Sequence, residues 1–281
     1  MTKEPNKISV GIVGAGVIGR RVVGAVRLQP DMALAGVADV AADWRIAMLA
    51  KDGVRLFAAS SQASQTLPDA GLDVAGSLED LIAASDVIVD CTPKGIGAQN
   101  ADIYRRAGKP FIVQGGEKHD VAGHSFVAEA TYESALGRDA TRVVSCNTTS
   151  IVRTLGALKR AGLLKKARGT LMRRATDPWE SHLGGIMNTL VPEPTIPSHQ
   201  GPDARHVDPE LDVVTIAIKV PETLAHLHSW YVELTRPATK EEVLDAFAAS
   251  PRILLIDGDS GLSALNSVKE AMAMEARPNA D

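Results

Sequence analysis

Short apolar runs alternate with segments of helical periodicity over the first 145 residues of the chain. Apolar runs bounded by polar or turn residues predict buried strands, and apolar positions three and four apart predict helices. The predicted strands are 8–13, 33–38, 56–59, 86–91, 111–114 and 142–146, and the clearest helices are 18–28 and 44–52. This alternation is typical of a parallel α/β sheet.

The pattern changes after this part of the chain. Helices are predicted at 148–163, 239–249 and 263–275, and strands at 167–175, 213–220, 229–234 and 251–256. The segment 176–210 is rich in Pro, Gly and His and is predicted to be a long functional or mobile loop. We therefore expect an N-terminal Rossmann domain, residues 1–145, followed by an α+β domain with a mainly antiparallel sheet, residues 146–281.

Composition narrows the class of protein. The chain has 281 residues, a formal net charge of −4 and two cysteines, and its N-terminus is polar. It has no apolar run long enough to span a membrane and no secretory signal. We expect a cytoplasmic protein that binds neither nucleic acid nor a membrane.

A glycine-rich motif follows the first predicted strand and opens the first predicted helix. Gly14, Gly16 and Gly19 form the pattern G-x-G-x-x-G. The first glycine allows a tight turn, the second lets a pyrophosphate approach the backbone, and the third permits close helix–strand packing. The backbone amides of Val17 and Ile18, at the helix N-terminus, are then predicted to bind the phosphates.

Asp39 ends the second predicted strand, 20 residues after Gly19 (39 − 19 = 20). A carboxylate at this point accepts hydrogen bonds from ribose hydroxyls and repels a 2′-phosphate. The cofactor is therefore predicted to be NAD. NADP stays possible because Arg45 is near enough in the sequence to accommodate the phosphate.

Cys146 ends an apolar run and stands where a helix is predicted to begin. The partial positive charge of a helix N-terminus stabilises a thiolate, which is a nucleophile. Cys91, inside the predicted strand 86–91, is expected to be a buried structural thiol. The combination with a dinucleotide motif predicts a dehydrogenase that binds its substrate covalently.

Several longer runs are similar to the archaeal-type (type II) glyceraldehyde-3-phosphate dehydrogenases. They occur in the family's order and span nearly the whole chain: VGIVGAGVIGRRV (10–22), DCTPKGIGAQN (90–100), VQGGEKH (113–119), RVVSCNTT (142–149), RRATDP (173–178), VPEPTIPSHQGPD (191–203) and VPETLAHLH (220–228). The resemblance implies oxidation of D-glyceraldehyde 3-phosphate to 1,3-bisphosphoglycerate through a cysteine thiohemiacetal and thioester, with hydride transfer to NAD(P).

The resemblance also assigns roles to individual residues. Cys146 matches the nucleophile, and His226 matches the catalytic base best, with His228 as the open alternative. No partner for a metal site is apparent near this His-x-His pair, so no metal is expected. Thr92, Gln114, Gly115 and Asn147 are expected beside the cofactor, and the expected substrate and phosphate ligands are Thr148, Thr149, Arg174, His199 and Gln200.

The chain departs from the family at several positions. Many relatives carry lysine where this chain has Asp39, and often two histidines where it has His199-Gln200. The family usually continues for several dozen residues past the point that matches residue 281, so we expect either a truncated or a naturally short chain.

The expected partners are a phosphorylated aldehyde, inorganic phosphate and further copies of the chain in a homotetramer. Two other functions stay open on the sequence alone. One is a cysteine-dependent dehydrogenase of another aldehyde, such as aspartate semialdehyde. The other is a non-catalytic nucleotide-binding protein.

Overall fold

The structure, a computed structural model, describes residues 7–114, 116–176, 188–262 and 264–275. The chain divides into two compact units. The first unit comprises Met1–Phe126 and Glu133–Ser145, and the second comprises Val127–Tyr132 and Cys146–Asp281. Apart from the short segment Val127–Tyr132, the division falls between Ser145 and Cys146.

The first unit contains an eight-stranded parallel sheet with helices between its strands. Its strands are β1 (Ile8–Val13), β2 (Met32–Asp39), β3 (Leu56–Ala58), β4 (Val74–Ser77), β5 (Val87–Asp90), β6 (Phe111–Val113), β7 (Ser125–Phe126) and β8 (Ala140–Val143). Its helices are α1 (Val17–Arg27), α2 (Trp44–Lys51), α3 (Ala63–Asp69), α4 (Leu78–Ala84) and α5 (Ile96–Arg106), and α6 (Ala128–Ala135) begins in the segment that belongs to the second unit.

The strand order locates the ligand crevice of this sheet. The order is β4-β3-β2-β1-β5-β6-β8-β7, and every pairing between neighbours is parallel. The chain builds outward from β1 in one direction and from β5 in the other. In such sheets ligands bind at the carboxyl ends of the strands where the direction reverses, which here lies between β1 and β5.

Both faces of this sheet are buried, which explains its continuous apolar strands. Ile12 packs on one face with Val23 of α1. Its neighbour Val13 packs on the other face with Tyr104 of α5. Neither Ile12 nor Tyr104 has any exposed surface. This core fixes the carboxyl end of β1, from which the glycine-rich turn begins.

The second unit pairs a four-stranded sheet with helices. Its remaining elements are α7 (Cys146–Arg160), β9 (Leu164–Arg174), β10 (Val191–Pro192), α8 (Gln200–Val207), β11 (Val213–Val220), β12 (Leu227–Leu234), α9 (Lys240–Ala248) and α10 (Leu265–Met274). The sheet order is β10-β11-β9-β12. Thr239 caps α9 in the capping box that its sequence predicts.

This second sheet is mixed, which corrects the prediction of a mainly antiparallel one. Strands β9 and β11 pair in parallel over eight residue pairs, whereas β10–β11 and β9–β12 are antiparallel. A parallel pair needs a long crossover connection. The segment 176–210, expected to be only a loop, lies in that connection; residues 177–187 are outside the described residues, and residues 188–210 contain both β10 and α8.

The predicted strand 251–256 is also wrong, because these residues adopt no regular structure. Leu254, Leu255 and Ile256 are exposed there. An apolar run becomes a strand only when a neighbouring strand satisfies its backbone, and within the described ranges this run pairs with none.

No helix in the described part of the chain is both long and apolar enough to cross a membrane.

Candidate active site

Cys146 is the first residue of α7, and its side chain is exposed. Strand β8 ends three residues earlier at Val143, so the chain passes almost directly from the sheet into the helix. The other cysteine, Cys91, differs in its surroundings: burial and the nearby Asp90 raise the pKa of its thiol to about 12. Cys146 is therefore the cysteine suited to nucleophilic attack.

His226 faces the sulfur of Cys146. Its Nε2 lies 3.2 Å from Sγ, and its Nδ1 accepts a hydrogen bond of 3.1 Å from the backbone N–H of Arg174. Burial, with the positive charges of Arg174 and neighbouring groups, lowers the pKa of His226 to about 4, so the ring is neutral near pH 7. Because Nδ1 accepts a hydrogen bond, the single ring hydrogen lies on Nε2 and points toward the sulfur.

His228, two residues further on, bonds a different neighbour. Its Nε2 lies 2.9 Å from Oδ1 of Asn147, and Nδ2 of Asn147 lies 3.9 Å from the sulfur of Cys146. Burial lowers the pKa of His228 to about 4. The structure therefore distinguishes the two histidines, because only His226 directs a ring nitrogen at the sulfur.

Cys146, His226 and His228 line a groove of about 330 Å³. One wall is helical, with residues four apart along α7, and the other follows alternate residues into β12. The lining residues are Cys146, Ser150, Thr154, His226, His228 and Trp230. Helix and strand periodicity place each set on one face, although the sequence offered no signal that Ser150, Thr154 or Trp230 would line this site.

The two arginines at the end of β9 have different partners. A guanidinium N–H of Arg173 donates to Oε1 of Glu193, whose Oε2 lies 3.2 Å from Nδ1 of His199. Arg174 contacts His226 through its backbone, and its charge contributes to the low pKa of that ring. Glu193 balances the charge of Arg173, and sequence reasoning missed it although it lies in one of the runs shared with the family.

Two of the predicted phosphate ligands lie in the interior of the second unit. Thr148 has no exposed surface, and its Oγ1 donates to Oδ2 of Asp203 at 2.9 Å. Gln200 is also fully buried, and its amide atoms have no hydrogen-bond partner among the described residues. Thr149 is half-buried and His199 is exposed, so these two remain accessible to an anion.

The glycine-rich turn of the first unit leaves room for a ligand to contact the protein backbone. Gly14 has φ +89°, and a Cβ there would lie 2.9 Å from the backbone carbon of Cys91. A Cβ on Gly19 would lie 1.9 Å from the carbonyl oxygen of Gly14. A Cβ on Gly16 would meet nothing within 4 Å. The turn is therefore closed toward the protein and open at Gly16, where Val17 and Ile18 begin α1.

Asp39 is fixed beside this turn. Its Oδ2 accepts the backbone N–H of Ala15 at 2.6 Å, and its Oδ1 accepts that of Ala41 at 2.8 Å. Arg45, which could have bound a 2′-phosphate, donates to Asp43 from both Nε and Nη2 at 2.9 and 2.5 Å. The negative charge of Asp39 thus lies at the end of β2. The positive charge of Arg45 is balanced by Asp43.

The other expected cofactor contacts lie at the ends of neighbouring strands. Thr92 follows β5, and its backbone N–H and hydroxyl both donate to Oδ1 of Asp90, at 2.9 and 2.5 Å. Gln114 follows β6, and its carbonyl oxygen accepts the N–H of Glu117 at 3.0 Å. Gly115 lies outside the described residues, and Asn147 belongs to the second unit beside Cys146. Among the described residues, no group of three or more His, Cys, Asp or Glu side chains is arranged to hold a metal ion.

Comparison with known proteins decides the family. The chain is 44% identical over 277 residues to a glyceraldehyde-3-phosphate dehydrogenase of Pyrobaculum calidifontis, covering 98% of this chain and 80% of that protein. It is 44% identical to the Halobacterium salinarum protein of the same name, covering 98% and 82%. The chain belongs to the glyceraldehyde-3-phosphate dehydrogenase family. Residues 145–269 match the family's C-terminal domain.

The N-terminal half of this family member matches a second domain model, the N-terminus of dihydrodipicolinate reductase, over residues 8–122. It is therefore a Rossmann-like domain of the kind that binds NAD(P). Among solved structures, aspartate semialdehyde dehydrogenase II from Vibrio cholerae is similar in fold, with a TM-score of 0.64 at 16% identity, covering 90% of this chain and 82% of that one.

Proposed function

We propose that this chain catalyses the phosphorylating oxidation of D-glyceraldehyde 3-phosphate to 1,3-bisphosphoglycerate, and the reverse reaction. The chain belongs to this family, and the proposal rests above all on one observation in its own structure. The sulfur of Cys146, exposed at the N-terminus of α7, lies 3.2 Å from Nε2 of His226. A thiol and an imidazole at this distance are the parts that covalent aldehyde oxidation requires.

The chemistry on the protein side begins with the thiolate of Cys146. Its sulfur attacks the aldehyde carbon, and the carbonyl electrons form an alkoxide, which gives a thiohemiacetal. A bound nicotinamide would supply the acceptor for the hydride that this carbon loses. Loss of the hydride re-forms the carbonyl from the alkoxide and leaves a thioester on the sulfur. An oxygen of inorganic phosphate attacks its carbonyl, the carbon–sulfur bond breaks, and the thiolate of Cys146 is restored as the acyl phosphate leaves.

His226 is proposed as the catalytic histidine. With its hydrogen on Nε2, the ring donates to the thiolate and then to the alkoxide, whose oxygen is on the carbon bonded to that sulfur. The base role expected from the sequence requires the other tautomer, in which Nδ1 carries the hydrogen. That tautomer would lose the hydrogen bond from the backbone of Arg174. The geometry therefore favours a hydrogen-bond donor at the start of the reaction.

We propose that Arg174, Thr149 and His199 bind the substrate phosphate and inorganic phosphate. A guanidinium suits phosphate oxygens because its N–H groups form a planar fork. The position of Arg174 beside the catalytic pair supports its choice, since its backbone N–H donates to Nδ1 of His226 and its charge acts on that ring. Thr148 and Gln200, also expected as ligands, are buried, so we propose that they contribute to packing instead.

We propose NAD as the preferred cofactor. Gly14, Gly16 and Gly19, with the amides that open α1, would hold the pyrophosphate, and Thr92 and Gln114 would lie near the nicotinamide half. The Asp39 carboxylate supports NAD, because a 2′-phosphate beside it would be repelled.

We also propose that the protein is a homotetramer in the cytoplasm. The resemblance to the family supports this proposal.

The decisive assay follows the absorbance of reduced nicotinamide with D-glyceraldehyde 3-phosphate and NAD, with and without phosphate. We expect phosphate-dependent reduction in the wild type, none in Cys146→Ser, and unchanged NAD binding in that variant. The matched control is Cys91→Ala, which should keep its activity because Cys91 is half-buried and the pKa of its thiol is raised to about 12. Turnover that survives in Cys146→Ser, or oxidation of aspartate semialdehyde in preference to the triose phosphate, would overturn the proposal.

A further inference from the structure

The hydrogen bond between His228 and Asn147 fixes two groups at once. Asn147 lies on the first turn of α7, is only 4% exposed and presents Oδ1 to Nε2 of His228 at 2.9 Å. An amide oxygen only accepts hydrogen bonds, so Nε2 must carry the hydrogen. The NH₂ group of Asn147 then turns to the other side, toward the sulfur of Cys146 at 3.9 Å.

The opposite arrangement is disfavoured on both sides of the pair. If the amide were flipped, Asn147 would donate to Nε2, and the hydrogen of His228 would move to Nδ1. Nδ1 of His228 is buried and has no hydrogen-bond partner among the described residues, so a hydrogen there would be an unsatisfied donor. The flip would also direct an amide oxygen at a thiolate, which is repulsive. An unpartnered acceptor at Nδ1 is the lesser cost.

We infer that His228 is a positioning residue that holds the amide of Asn147 so that its NH₂ group donates to the thiolate of Cys146 and to the alkoxide of the thiohemiacetal. The inference rests on the proposed function. Asn147 is then a catalytic residue in its own right, in addition to the cofactor contact expected from its sequence position. With Nε2–H of His226 at 3.2 Å, it gives the sulfur two N–H donors from different elements.

Each donor is held by a partner behind it. The backbone of Arg174 holds His226, and the ring of His228 holds Asn147. Donors that are already oriented stabilise developing negative charge without a reorganisation cost during the reaction. His228 therefore acts on the reaction through Asn147 and accepts no proton from the substrate.

The test compares His228→Leu with His228→Gln. The terminal NH₂ of glutamine can donate from about the position of Nε2 but cannot act as a base near neutral pH. We expect His228→Leu to lower kcat about tenfold and His228→Gln to stay within about threefold of the wild type, on the scale of a single hydrogen bond. We expect Asn147→Ala to lower kcat by about 10²-fold, as for removal of one oxyanion donor.

A second readout needs no turnover. The rate of alkylation of Cys146 by iodoacetamide in the cofactor-free protein, followed by mass of the Cys146 peptide, reports how well the thiolate is stabilised and oriented. We expect the same ranking of the variants. If the wild type does not reduce NAD, the proposed function fails, while the alkylation rates still decide the role of His228.

The double variant Asn147→Ala with His228→Leu tests whether His228 acts through Asn147. We expect it to match Asn147→Ala alone, because a positioning residue has no effect once the group it positions is gone. Tyr231→Leu is the control for loss of a ring from the same strand; Tyr231 is 83% exposed and should behave as the wild type. Multiplied losses in the double variant, or equal losses in His228→Gln and His228→Leu, would overturn the inference.

Discussion

Thr148 provides a test that separates packing from phosphate binding. Its hydroxyl is fully buried and donates to the carboxylate of Asp203, so the bond joins α7 to α8. Thr148→Val keeps the shape of the side chain and removes the donor. A hydrogen bond to a charged group contributes about 1.5–3 kcal/mol to stability. Asp203 is 15% exposed and lies 3.7 Å from His206, so solvent and His206 compensate part of the loss.

We therefore expect a loss of about 1.5–2 kcal/mol in the free energy of unfolding, near the lower end of that range. For a protein of this size the midpoint of thermal unfolding should fall by roughly 3–8 °C. The measurement is circular dichroism during heating, combined with KM for phosphate from the assay of nicotinamide reduction. KM for phosphate should change little, because the hydroxyl of Thr148 is turned into the protein.

The neighbouring variant Thr149→Val is the matched comparison. Thr149 is half-buried and is proposed to bind phosphate, so its loss should raise KM for phosphate and leave the unfolding midpoint near the wild-type value. If instead Thr148→Val leaves the midpoint unchanged and raises KM for phosphate, the reasoning from burial is refuted and Thr148 is a ligand.

Three further predictions concern the catalytic and cofactor residues. His226→Asn should lower kcat by about 10²–10⁴, and His226→Gln should lower it less if the ring acts as a donor; equal losses would favour the base role. Asp39→Lys should shift the ratio of kcat/KM values toward NADP, and an unchanged ratio would exclude Asp39 as the selecting group. With pKa values of about 4, neither His226 nor His228 should titrate by NMR between about pH 7 and pH 5. Since an unfolded histidine titrates near pH 6.5, these rings should reduce stability as the pH falls from about 6.5 to about 4, because the unfolded state binds the protons first. A midpoint near 6.5 in the folded protein would contradict the burial of these rings.

Local patterns in the sequence determined many of the strands and helices of the first unit and the positions of Cys146 and Asp39. Strand β1 was predicted with its observed bounds because both of its faces are apolar and a glycine turn ends it. The position of Cys146 at a helix start, and of Asp39 at a strand end, followed from the same local signals. These features depend on residues close together in the chain, and periodicity and turn chemistry report such residues directly.

The tertiary structure decided what depends on residues far apart in the chain. The second sheet is mixed because β11 returns beside β9, a pairing that no local pattern encodes. The side chain of Thr148 points inward because Asp203, 55 residues away, accepts a hydrogen bond from its hydroxyl. The two histidines of one short run differ in their partners, which lie about 80 residues earlier in the chain. His226 contacts Cys146, and His228 contacts Asn147. In His226 the hydrogen lies on Nε2 because the backbone N–H of Arg174 donates to Nδ1. In His228 it lies on Nε2 because that nitrogen donates to Oδ1 of Asn147. Only the folded chain supplies these partners.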